Sequence, residues 1–303
     1  MSKTIAIIGA STGLGRAAAR ELARHHHVIA CGRDVAAISA AVPHASEVMR
    51  VDLADLADVA RFARELAIRG RLDTLVCNAG VQAAGGPPRF TRDGFEETFA
   101  VNHLAHFAIV ERLAPQLGRV VLVGSGTHDP RDRLARALFG FRGARYSDAR
   151  ALAAGEGDPA VDDAQRARDR YATSKLCNLL AMDALVRRGV DAVALDPGLM
   201  PGTGLARSYG AVTRLAWQTV MRAVALVLPG ASSARHSGRA LAWLATEGEL
   251  AHRYYDFRRR PLDAWEGARR RDWSDELYAS SSALVSSALA SSPSSPRQPA
   301  SSS

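Results

Sequence analysis

Short apolar runs alternate with amphipathic stretches from the first residues onward, and this rhythm constrains the fold more than any other feature. TIAIIG at 4–9, VIACG at 28–32, EVMRVDL at 47–53, LDTLVCNAG at 72–80, RVVLVGS at 119–125 and VDAVALDPG at 190–198 read as strands. Between them, 14–24, 34–41, 55–69, 93–116 and about 165–188 read as helices. The strands are apolar throughout rather than alternating, as expected of a parallel sheet covered on both faces. The fold class is therefore α/β: a doubly wound parallel sheet, or Rossmann fold, with its ligand at the C-terminal ends of the strands.

Two stretches break the rhythm. Residues 128–168 lie between the fifth strand and the next helix, too long for a plain loop, and predict an insertion with local helix or a lid. Residues 203–229 carry Leu205, Tyr209, Leu215, Trp217 and Leu228 and read as helices beside the sheet. They are either a substrate wall or core against the sheet. One domain over 1–279 is expected, followed by a disordered tail rich in Ser, Ala and Pro over 280–303.

Composition matters mainly for what it excludes. The net charge is +8, with RRR at 258–260 and 269–271, but the excess is spread along the chain and does not mark a nucleic-acid surface. No run of 18 apolar residues predicts a transmembrane helix. Cys31, Cys77 and Cys177 are too few and too scattered for a disulfide framework. The N-terminal apolar run is too short for a signal peptide. A reducing, cytoplasmic setting is expected. His103, His106 and His128 lack convincing metal spacing, so no metal is expected.

The turn GASTGLG follows the first strand and opens a helix. Gly9, Gly13 and Gly15 let the backbone turn tightly, and the N–H groups of Ser11, Thr12, Gly13 and Leu14 are placed for a pyrophosphate. The second strand ends in Arg33. A basic residue there favours a 2′-phosphate, hence NADP over NAD, with Arg16 assisting and Asp34 an awkward neighbour. Either arginine alone is equally a solvated surface residue. Asp52, with Leu53 beside it, is placed for the adenine amine or serves as a helix cap. Asn78, Ala79 and Gly80 let backbone pass close to the adenosine ribose.

The chain holds 39 Lys plus Arg, yet only Lys3 and Lys175 are lysines. Tyr171 precedes Lys175 by four residues, so one helix face carries both. A compact ammonium with a tunable pKa is something arginine does not supply.

Taken together, GASTGLG, the NAG at 78–80, Asn102, Ser125, the Tyr171/Lys175 pair and DPG at 196–198 resemble the short-chain dehydrogenase/reductase family over residues 3 to about 230. Ile8 stands where a threonine is more usual. VNHLAHF at 101–107, YATSKLCNLL at 171–180 and PGLMPGTGLAR at 197–207 look most like the retinol dehydrogenase and light-dependent protochlorophyllide reductase branch. Leu199 stands where many pigment reductases carry a cysteine.

Carbonyl reduction needs a hydride donor, a proton for the oxygen and a partner for the developing charge. Tyr171 would supply the proton. Lys175 would lower its pKa from about 10 and hold the nicotinamide ribose. Ser125 would bond the substrate oxygen, with Thr127 as backup; otherwise it is an ordinary turn serine. By resemblance, Asn102 would bond through water toward Lys175; otherwise it is a buried polar residue. Pro197 and Gly198 end the sixth strand near the nicotinamide, and Thr203 is placed for its carboxamide or the pyrophosphate. The expectation is an NADP-dependent oxidoreductase acting on a carbonyl or alcohol of an apolar small molecule. A light-dependent pigment reductase and a non-catalytic NADP-binding regulatory protein are the alternatives. The resemblance implies a homodimer or homotetramer paired through about 93–116 and 165–188.

Overall fold

The computed structural model describes residues 1–83, 85–200 and 230–291. Seven parallel strands are ordered β3-β2-β1-β4-β5-β6-β7. They are β1 (Thr4–Ile8), β2 (His27–Gly32), β3 (Glu47–Arg50), β4 (Leu72–Cys77), β5 (Leu117–Val123), β6 (Ala192–Asp196) and β7 (Tyr254–Asp256). The order reverses between β1 and β4, which opens the crevice where such sheets bind ligands.

Period-two alternation along β1 feeds two cores. Ile5 and Ile7 pack with Leu14, Ala18 and Leu22 of α1 (Gly13–Leu22) and with Leu241 and Leu244 near the chain's end. Ala6 and Ile8 face the other way, toward Phe62, Leu104 and Leu176. Phe62 belongs to α3 (Leu56–Ile68), which follows α2 (Val35–Ala41).

The helix expected over 93–116 is shorter and not uniform. A turn, α4 (Glu97–Phe99), leads through a π-helical stretch at Ala100–Leu104 into α5 (Ala105–Leu113). The wider turn falls at Asn102, whose side chain bonds the neighbouring loop. The insertion carries two short helices, α6 (Arg133–Phe139) and α7 (Ala149–Ala153). Next comes α8 (Asp163–Arg187), which holds Tyr171 and Lys175. Residues 203–229, with Thr203, lie outside the described residues. After them comes α9 (Ala234–Thr246), which packs on α1.

Residues 280–291, expected to open the tail, are helical, and 292–303 lie outside the described residues. A last helix, α10 (Arg271–Ser291), crosses α8. Its Leu277, Ser281 and Val285 form a buried row at a spacing of four, a helical face that serine-rich composition conceals. Ser274 Oγ donates to the Leu180 carbonyl at 2.9 Å, Arg187 pairs with Asp275 at 2.8 Å, and Ser281 Oγ lies 3.0 Å from His103 Nε2. Thus α10 overlies part of α8 and touches α5, the helices the resemblance assigned to subunit pairing. No helix among the described residues is long and apolar enough to cross a membrane.

Candidate active site

The C-terminal ends of β1, β2, β4, β5 and β6 open on one cleft of about 1010 Å³. At the nucleotide end, Gly9 adopts φ +89°, and a side chain on it would strike Asn78 and Ala79. A side chain on Gly15 would run into the Gly9 carbonyl oxygen. Asn78 Nδ2 donates to that oxygen at 3.0 Å, so the turn is fixed to the end of β4.

The helix N-termini differ in a telling way. Those of α2, α3, α6, α7, α8 and α9 are closed by Asp34, Asp55, Asp132, Asp148, Asp162 and Ser233, each accepting a backbone N–H. At α1 the cap residue Thr12 makes no such bond. Its orphan N–H groups, at the positive end of the helix, face the cleft and suit an anion. A glycine cradle that rejects any Cβ together with an uncapped helix start fits a dinucleotide pyrophosphate.

Gly9, Ser11, Thr12, Gly13, Leu14, Arg33, Asp52, Leu53, Asn78, Ala79, Gly80, Pro197 and Gly198 line this cleft. Asp34, the awkward neighbour of Arg33, is spent as a cap: its Oδ1 accepts the Ala37 N–H at 2.9 Å. Arg33 is left exposed at the cleft edge. Asp52 is not a helix cap. Its Oδ1 accepts from Ala54 N at 3.1 Å, a local turn, while Asp55 caps α3.

At the other end stand Ser125, Tyr171 and Lys175. Ser125 Oγ accepts from Thr127 N at 3.3 Å and Thr127 Oγ1 at 3.1 Å, which leaves its own proton for an acceptor in the cleft. Lys175 Nζ donates to the Val123 carbonyl at 3.3 Å and lies 5.6 Å from the Tyr171 ring centroid.

The expected lowering of the Tyr171 pKa is reversed here. Burial pushes the phenol above its ordinary value, and it pushes Lys175 down to about 8. Desolvation comes first, the negative charge of Asp196 adds to it, and the Lys175 ammonium bonds the Val123 carbonyl and not the phenol. Tyr171 is therefore held protonated at neutral pH, as an acid must be.

Asn102 stands one layer behind. It donates to the Val81 carbonyl at 2.9 Å and to Ser174 Oγ at 2.9 Å, and accepts from Val81 N at 2.7 Å. A Cβ on Gly80 would meet Asn102 Oδ1 at 3.1 Å and Lys175 Nζ at 3.6 Å, so these two groups flank Gly80. His103 and His106 point into the core, His103 between the rings of Phe99 and Phe107.

Several lining residues have no local sequence signature. Leu134, Leu138 and Phe139 of α6, and Phe141 after it, form an apolar wall over Tyr171. Asp132, Asp196 and Asp256 also line the cleft. The length of the insertion was the only hint of the wall.

A family model described as short chain dehydrogenase matches residues 3–131. Protochlorophyllide reductase A, chloroplastic, of Oryza sativa subsp. japonica is 33% identical over 274 residues, covering 81% of this chain and 69% of that protein. The chain belongs to the short-chain dehydrogenase family. Within it, the chain falls in the protochlorophyllide reductase-like branch. Protochlorophyllide reductase A of Triticum aestivum is a further relative of this short-chain dehydrogenase, 34% identical over 81% of the chain and 69% of its own length. Among solved structures, an uncharacterized protein from Mycobacterium paratuberculosis is 29% identical with a TM-score of 0.63, covering 94% of this chain and 93% of that one. A short-chain dehydrogenase from Sphingobium yanoikuyae in complex with NADPH shares the fold at 22% identity and a TM-score of 0.56, over 80% of this chain and 84% of that one.

Proposed function

We propose that this short-chain dehydrogenase uses NADP to move a hydride between nicotinamide and a carbonyl or alcohol carbon of a largely apolar small molecule. The observation that carries this is the placement of Ser125, Tyr171 and Lys175 in one cleft with the glycine cradle, beneath the apolar wall of α6. The bound nicotinamide would supply or accept the hydride. Tyr171, kept protonated by burial, hands its proton to the substrate oxygen. Ser125 donates a hydrogen bond to that oxygen as charge develops. Lys175 holds positive charge beside the phenol, positioned by the Val123 carbonyl. Leu134, Leu138 and Phe141 exclude water and favour an apolar substrate. Arg33, freed of Asp34, suits a 2′-phosphate. The NADPH complex of the Sphingobium protein agrees with that choice.

Reduction of a pigment double bond is the second reading, favoured by the names of the relatives at 33–34% identity. Leu199, where many pigment reductases carry a cysteine, weighs against it.

The test is oxidation of NADPH, and separately NADH, across aldehydes, ketones and quinones in the dark, with protochlorophyllide under illumination as a separate arm. Dark NADPH-dependent turnover that is lost in Tyr171→Phe supports the carbonyl reading. Turnover only with the pigment in light replaces it, and equal use of NADH removes the role given to Arg33.

A further inference from the structure

One carboxylate in the cleft has no part in the mechanism above, yet it touches both turns that frame the chemistry. Asp196 is the last residue of β6. Its Oδ1 accepts the Gly198 N–H at 2.9 Å. The Gly126 backbone lies against the other oxygen of the same carboxylate, and its N–H favours the charged form. A Cβ on Gly126 would stand 3.2 Å from Asp196 Oδ2 and 3.3 Å from Asp132 Oδ2. Gly126 directly follows Ser125, and Gly198 directly follows Pro197. Asp132 in turn caps α6 through Ala135 N at 2.9 Å, so the helix forming the apolar wall meets the same point.

We propose that Asp196 is a positioning residue for hydride and proton transfer, its carboxylate fixing the Ser125–Gly126 turn against the Pro197–Gly198 turn. The inference rests on the functional reading above for what is being positioned. The Gly198 N–H is held by Oδ1 while Gly126 lies on the Oδ2 side, so the two turns meet at the two oxygens of one group. A carboxylate offers both, whereas an amide offers one oxygen and turns an N–H toward the other donor. A side chain on Gly126 would press on both carboxylates, each of which would have to shift by a few tenths of an ångström. Without the tie, the Ser125 hydroxyl keeps its Thr127 partners but loses its fixed spacing from the nicotinamide side of the cleft. Displacements of this kind are costly to turnover because the reacting atoms must stay in a narrow range of approach.

The same carboxylate acts on the proton machinery through its charge. Among the described residues, Tyr171 and Lys175 on α8, Asp132 at the start of α6, and Tyr254 and Asp256 on β7 are the ionisable groups that feel its charge or act on it. The carboxylate favours charged Lys175 and disfavours ionised Tyr171. Burial, with Asp132 and Asp256 adding to it, raises Asp196 itself to about 6, so it remains ionised above neutrality.

A chain with only two lysines allows a direct test. The protein is labelled with 13Cε-lysine, and the Lys175 resonance is titrated in the NADP+ complex of the parent, Asp196→Asn and Gly126→Ala. Lys3 serves as the internal reference. The kcat and KM for NADPH-dependent reduction of decanal are measured in parallel. In Asp196→Asn the Lys175 midpoint is expected to fall by about half a pH unit or more, and kcat by about tenfold with KM nearly unchanged. Asp196→Ala, which loses both acceptors, is expected to be slower still. Gly126→Ala is expected to lower kcat in the same way, and it decides the matter if the Asp196 variants do not fold. An unchanged Lys175 midpoint in Asp196→Asn, or parental kcat in Gly126→Ala, overturns the proposal. If the parent reduces no decanal, the substrate class assigned above is wrong, and the Lys175 midpoint alone decides the role of Asp196.

Discussion

Asn102 Nδ2 and Ser174 Oγ lie 2.9 Å apart, joining the π-helical stretch to the catalytic helix between Tyr171 and Lys175. The same amide holds both backbone groups of Val81. Asn102→Ala would take this partner from both backbone groups of Val81, while Ser174 Oγ keeps its bond to the Tyr171 carbonyl at 2.7 Å. The expected cost is about 2–4 kcal/mol, since each unsatisfied buried group costs about 1–3 kcal/mol and water relieves part of it. Urea unfolding of the parent and variant measures this, and a loss well below 1 kcal/mol would contradict it.

Gly15 and Gly9 are packed too closely for any side chain on Gly15. Gly15→Ala must push α1 away from the turn and spoil the cradle. NADPH affinity, followed by fluorescence titration, is expected to fall by about tenfold or more, each tenfold being 1.4 kcal/mol. Unaltered affinity would show that the turn does not carry the pyrophosphate.

Arg33 and Asp34 divide their work: one is exposed at the cleft, the other closes α2. Arg33→Ala is expected to raise KM for NADPH by about tenfold while leaving that for NADH nearly unchanged, the pattern of a lost phosphate contact. Asp34→Ala is expected to act on stability instead, costing about 1 kcal/mol as a lost helix cap.

Lys175 is held down to about 8 by burial, so it carries its charge below that pH and loses it above. NADPH-dependent reduction is expected to decline as pH rises through about 8. Asp196 favours the charged form, so Asp196→Asn should move the decline to lower pH. A rate independent of pH between 7 and about 9.5 would remove Lys175 from the proton machinery.

His103 and His106 are buried and neutral, pushed down to about 3 and about 4 by desolvation. Below the ordinary value of 6.5 the unfolded chain takes up protons that the folded chain refuses. Stability therefore falls as pH drops from about 6.5 toward 4, by up to about 1.4 kcal/mol per pH unit for each histidine. His106→Gln, which retains a polar side chain but does not titrate, should flatten this slope in urea unfolding at pH 7 and pH 5. An identical slope would assign the acid sensitivity elsewhere.

What could be read from the chain, and what could not, divides by range. The strands, the glycine turn and the Tyr171/Lys175 spacing are local patterns, and the structure places them together. Asp34 looked like a rival to Arg33 because capping depends on where α2 starts. β7 escaped notice because three residues carry no period. The Leu277, Ser281 and Val285 row was hidden by serine, which is polar in composition yet buried in α10. DPG at 196–198 was legible as a motif, but the place of Asp196 between two turns was not. Its partners Gly126 and Gly198 belong to separate turns that meet only after β5 and β6 pair. The direction of the Tyr171 shift likewise depended on desolvation, which spacing does not report.

The brace that α10 lays across α8 has a consequence for how the molecule comes into being. A ribosome delivers Tyr171 and Lys175 well before it delivers Ser274, Leu277 and Ser281. Until those residues emerge, the outer side of the catalytic helix is exposed to water and to chaperones. A nascent chain stalled before position 271 would hold every group needed for proton transfer, yet lack the last helix that packs on α8. Turnover should therefore wait until Arg271–Ser291 has emerged and packed on α8, and not begin at the moment the active-site residues are made.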